Sequence, residues 1–112
     1  MEQSIIINQK TKFLDLPDNL YRYDNLIKAV VDIEKKRLAI GGKWHADCEL
    51  LLANSGSNSV DNWGFNIYFD DKHIEYNSMI NIKPQLGSKS MTLVDQIIID
   101  KINLVIDQFL EL

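Results

Sequence analysis

Apolar and polar positions alternate with period two in two neighbouring stretches of this chain. In "WGFNIYF", residues 63–69, Phe65, Ile67 and Phe69 fall on one side and Asn66 and Tyr68 on the other. In "HIEYNSMINI", residues 73–82, Ile74, Tyr76, Ile80 and Ile82 take the apolar side, and Glu75, Asn77 and Asn81 the polar side. Asp70-Asp71-Lys72 lies between them as a turn. The pattern predicts an antiparallel hairpin with one buried face. An earlier pair of apolar runs, residues 27–33 and 37–40, flanks the charged Glu34-Lys35-Lys36 and predicts another hairpin, which Gly41-Gly42 ends. "SIIIN", residues 4–8, is short, β-branched and apolar, and reads as an N-terminal strand.

The period changes in two places. "HADCELLLAN", residues 45–54, has no β-branched residue, and its leucine, alanine and glutamate favour a short helix that turns Leu51, Leu52 and Cys48 inward. Near the C-terminus, Ile98, Ile102, Val105 and Phe109 recur at helical spacing, while Gln96, Asp100, Asn103 and Asp107 form the wet stripe, with Ile99 beside it. Thr92, with Asp95 three residues on, is the expected start of that helix. Pro17-Asp18-Asn19 is a further place where a short helix can open. The expected fold is α+β. An antiparallel or mixed sheet of about five strands, two hairpins plus the N-terminal strand, packs against a short central helix and a long C-terminal one. With 112 residues and no linker or repeat, residues 1–112 are expected to form a single α+β domain.

Composition narrows the function more than the fold. The chain is 46% hydrophobic and 25% charged, as in an ordinary globular protein. Its net charge of −4 and pI near 5.0 weigh against nucleic acid and anionic membrane as partners. The densest basic cluster, Lys35, Lys36, Arg37 and Lys43, reads as a solvated hairpin tip. No apolar run approaches the roughly 20 residues that span a bilayer. "MEQSIIINQK" lacks the basic start of a signal peptide, and one cysteine allows no internal disulfide, so the expected location is cytoplasmic.

Three constellations carry candidate chemistry. On the short helix, His45 and Glu49 lie one turn apart, with Asp47 and Cys48 between them. His and Glu at that spacing can share a divalent metal, and a His beside a Cys can favour a thiolate. The plainer reading makes Asp47 and Glu49 first-turn carboxylates that suit the helix dipole. The polar face of the later hairpin, Asn66, Glu75, Asn77 and Asn81 with Trp63 at the strand start, suits a small ligand, because amides donate and accept. Plain solvent exposure is the competing reading. Finally, Lys83 and the run Gly87, Ser88, Lys89 and Ser90 place a charge, hydroxyls and backbone N–H groups before the last helix. Those are the ingredients of an anion site, although the spacing is not that of a P-loop, and a capped loop accounts for them equally.

The order of "AVVDIE", "HAD", "GS", "WGFNIY" and "INIKP" across residues 27–90 resembles a family of small bacterial proteins known only as a domain of unknown function. The resemblance implies no activity, substrate or cofactor. Members of that family tend to have a small residue where this chain has Cys48, and arginine where it has Lys83. Small size, acidic charge and the lack of a complete catalytic set make the expected function a non-catalytic small-ligand or protein-interaction module. Its expected partners are a small ligand or another protein, a second copy of the chain included, and no cofactor is expected. The alternative is a small metal-assisted hydrolase in which His45, Asp47 and Glu49 act as ligands or base, with Glu75 as a second carboxylate.

Overall fold

The computed structural model describes residues 3–112. In chain order the elements are β1 (Ser4–Ile7), β2 (Thr11–Lys12), β3 (Leu26–Asp32), β4 (Arg37–Gly41), α1 (His45–Asn54), β5 (Asn62–Tyr68), β6 (Ile74–Glu75), α2 (Gln96–Phe109) and β7 (Leu110–Glu111). Five strands form one antiparallel sheet in the order β1-β4-β3-β5-β6. β2 and β7 pair in parallel and tie the chain's end to its beginning.

The sheet is buried on both faces. Period two sends Ile27, Ala29, Val31, Leu38, Ile40, Phe65 and Ile67 to one face, where Ile102, Val105 and Ile106 of α2 meet them. Phe13, Leu16 and Leu20, from the loop after β2, close the same core. The alternate residues Val30 and Ala39 pack on the other face against Cys48 and Leu52 of α1. Double coverage explains why residues 27–31 read as an almost unbroken apolar run.

The helix over residues 45–54 and the hairpin over 26–41 form where the sequence places them. At the hairpin tip, buried Asp32 accepts from the Glu34 and Lys35 amides, each at 2.9 Å, and from the Ser57 hydroxyl at 2.6 Å. The later hairpin is shorter than its pattern. β6 stops after Glu75, and the Ser78 hydroxyl accepts from Ile80 N to start a tight turn over Met79–Asn81. That turn reverses the expected sides: Asn81 is fully buried and Ile82 is exposed. The buried amide of Asn81 replaces the missing strand. It accepts from Gly64 N at 2.8 Å and donates to Gly64 O at 2.9 Å.

Two other expectations change. No helix opens at Pro17; a single 3-10 turn, Phe13–Asp15, precedes it. The last helix starts at Gln96 rather than Thr92. Asp95 is its N-cap and accepts from Ile97 N at 2.9 Å, while Thr92 is held in an extended bridge to Asn77. Ile99, placed beside the wet stripe by its spacing, packs on the core. No helix among the described residues is long and apolar enough to cross a membrane.

Candidate functional site

On the α1 face of the sheet, strand register sets three polar residues in a row. Lys28 of β3 faces Asn66 of β5, and Asn66 faces Glu75 of β6. His45, the first residue of α1, stands over this row with its Nε2 2.9 Å from the Phe65 carbonyl. Gly64 makes the close approach possible. A Cβ there would lie 2.6 Å from the Ser78 hydroxyl and 3.1 Å from His45 Cδ2. A strand glycine marks such sites of tight packing.

The surroundings decide the charge states. Burial pushes the His45 pKa down to about 4, and Lys28 acts in the same direction; the Phe65 carbonyl, Asn66 and Glu75 only partly offset them. The ring is therefore neutral at pH 7. A carbonyl can only accept, so Nε2 carries the proton and Nδ1 keeps its lone pair. Asn66 is 4% exposed. Its Nδ2 donates to Glu75 Oε1 at 2.9 Å and, more weakly, to Asn77 O at 3.4 Å. Tyr68 donates its hydroxyl to the same Glu75 oxygen at 3.2 Å. Asn66 Oδ1 is buried and has no hydrogen-bond partner among the described residues.

These groups border a cleft of about 420 Å³ lined by Lys28, His45, Asn66, Asn77 and Ser78 together with Trp44, Met79, Ile80 and Met91. Trp44 is 64% exposed and Met79 is 73% exposed, so the rim is unusually apolar for surface. The volume and the mixture of apolar wall with a few convergent polar groups are those of a small-molecule site.

The sequence candidates divide accordingly. His45, Asn66 and Asn77 line the cleft, and Glu75 joins them through Asn66. Asp47 turns back to accept from Trp44 N at 2.9 Å, and Glu49 borders a separate depression with Asn62. Neither meets His45 in a metal-sized group. Among the described residues only Asp70, Asp71 and His73 bring three potential ligand atoms within 4.8 Å, all of them exposed. Asn81 lies buried under the cleft's edge, committed to Gly64. Trp63 belongs to the opposite face of the sheet.

Lys83 is buried. Its ammonium donates to Ile80 O at 2.8 Å and Ser59 O at 3.0 Å, and lies 4.9 Å from the Trp63 ring centroid. Burial holds its pKa below the ordinary lysine range, against Glu49 and Asp61, which favour the charge. Gly87, Ser88, Lys89 and Ser90 line a cleft beside Trp63. The Cys48 thiol donates to Gly41 O at 3.0 Å, and burial, with Asp47 nearby, pushes its pKa up to about 12, so it stays protonated and inert at neutral pH.

Sequence reasoning passed over Lys28, Trp44, Met79 and Met91. Lys28 left a trace as the lone charge inside the apolar run of residues 26–31, on the side that period two assigns to Val30. Met79 and Met91 left none, because the turn at Ser78 puts them on the rim.

Neither the curated proteins nor the solved structures contain a significant match to the chain. A family model described as "Protein of unknown function (DUF5674)" does match, over residues 5–109. That span is nearly the whole chain and includes all of the five-stranded sheet but Ser4, both helices and all the residues that line the cleft, and on this ground the chain belongs to the DUF5674 family.

Proposed function

We propose that the protein is a small-ligand-binding module whose site is the cleft over Lys28, Asn66 and His45. The observation that carries this reading is the buried Asn66 Oδ1, to which no donor is assigned among the described residues, in a cleft that also presents a neutral imidazole and the Lys28 ammonium, which forms no salt bridge among those residues. A buried polar atom without a partner costs about 1–3 kcal/mol, so its retention calls for a reason. A ligand that donates to Asn66 Oδ1, brings an anionic group to Lys28 and lays an apolar body on Trp44, Met79 and Met91 supplies one. An amphoteric molecule of amino-acid size has all three features.

Binding without turnover fits the same groups. A histidine with a pKa near 4 is a poor base at pH 7, and the one cysteine is locked as a thiol. The metal-assisted alternative draws no support from the positions of Asp47 and Glu49, which lie apart from His45.

The test is a thermal-shift screen of apolar and aromatic amino acids and simple carboxylates against the wild type, Lys28→Met and Met79→Glu. A true ligand at ten times its Kd stabilises by about 1.4 kcal/mol, roughly 5 °C for a domain of this size. Saturable shifts in the wild type that both variants lose support the reading. Shifts that survive in both variants place binding elsewhere, and a panel without any saturable shift sinks the proposed ligand class.

A further inference from the structure

A second cleft, of about 330 Å³, lies on the α2 side of the sheet and takes no part in the function proposed above. Its walls are Leu86, Leu93, Val94 and Ile98, and Trp63 lines it from β5. Trp63 is 2% exposed, and its Nε1–H is buried with no acceptor among the described residues. Buried indole N–H groups ordinarily find a partner.

Several of the other donors around this cleft are already committed to the chain. Gly87 N donates to Pro84 O and Ser88 N to Lys83 O, while the Ser88 hydroxyl donates to Asn81 O. Thr92 N donates to Ser90 Oγ. Of the two charged residues lining the cleft, Lys89 is exposed, and Asp95 holds its carboxylate at the α2 N-terminus, where an incoming anion would otherwise be drawn. What remains is a mostly apolar cavity beside a buried indole N–H that has no acceptor among the described residues.

We propose that this cleft binds a small neutral molecule: an apolar body with a single hydrogen-bond acceptor, such as a lactam or ketone carbonyl, that engages Trp63 Nε1–H. The class differs from that of the Lys28 cleft, where the unmatched buried group is an acceptor.

The test is a two-dimensional ¹H–¹⁵N spectrum of the full chain, which contains two indole resonances, from Trp44 and Trp63. Trp44→Phe assigns them. Caprolactam is the neutral probe and benzoate the anionic control. The expected result is a saturable downfield shift of the Trp63 Nε1–H with caprolactam, half-complete at roughly 1–10 mM, the range open to a fragment of so few atoms. Benzoate leaves that resonance unmoved. Val94 is almost fully exposed, so Val94→Glu keeps the fold and is expected to abolish the caprolactam shift. The proposal is overturned if caprolactam gives no saturable shift, if benzoate shifts Trp63 equally, or if the shift survives in Val94→Glu.

Discussion

His45 illustrates how a single residue is governed by what packs around it. Native His45 takes up a proton only near pH 4, whereas in the unfolded chain a histidine does so near 6.5. Between those values the unfolded state binds the proton and the native state does not, so stability falls as pH drops from 6.5 towards 4, by up to about 3 kcal/mol. Urea unfolding at pH 7 and pH 5 should show a loss of about 2 kcal/mol in the wild type beyond that in His45→Gln. Matching pH dependence in the two proteins would contradict a buried neutral ring. Asn81 makes a second case. Its amide satisfies both backbone groups of Gly64 in a fully buried place. Asn81→Leu keeps the branched heavy-atom skeleton but orphans that pair, so chemical denaturation should show a loss of roughly 3 kcal/mol. A loss below about 1 kcal/mol would mean that the strand edge re-pairs.

Elements here begin and end where a side chain meets an orphaned backbone group. The start of α2 shows this most clearly. Thr92 and Asp95 are both acceptable N-caps by residue type, and a hydrogen-bonded bridge to Asn77 keeps Thr92 extended. Asp95 therefore caps Ile97. Asp95→Ala is expected to cost about 1 kcal/mol in thermal unfolding, and Thr92→Ala less than about 0.5 kcal/mol. The reverse order would place the cap at Thr92. β6 ends by the same logic: Ser78 supplies the acceptor that turns the chain after two paired residues, although the alternation of apolar side chains continues beyond it.

For the molecule as a whole, the sheet is the organising layer, with α1 on one face and α2 on the other. The two sides form separate apolar clusters, one holding Leu52 and the other Ile102, both fully buried. Leu52→Ala and Ile102→Ala should each cost about 2–5 kcal/mol, and their combination should be additive to within roughly 0.5 kcal/mol because they share no partner. Non-additivity in a double-mutant cycle would show that the sheet transmits strain between its faces. The same layering keeps the two clefts apart, with Asn66 on one side of β5 and Trp63 on the other.

The apolar runs at residues 27–33 and 37–40, period two over residues 63–69, the helix-forming run at residues 45–54 and the spacing of Ile98, Ile102, Val105 and Phe109 were enough to establish the α+β class, because each is a local consequence of backbone geometry. Which polar residues would meet was not legible in the same way. Alternation assigns Asn66 to a side of the sheet but does not reveal that α1 covers that side. Helical spacing puts His45 and Glu49 on one face, yet Asp47 is drawn back to the Trp44 amide and Glu49 leads away into another depression. The site gathers Lys28, His45, Asn66 and Glu75 from four elements, and its apolar rim depends on a turn at Ser78. The residues of each element were set by local preference; their convergence was decided by the packing of α1 on the sheet, where strand register and burial act over distances the sequence pattern does not record.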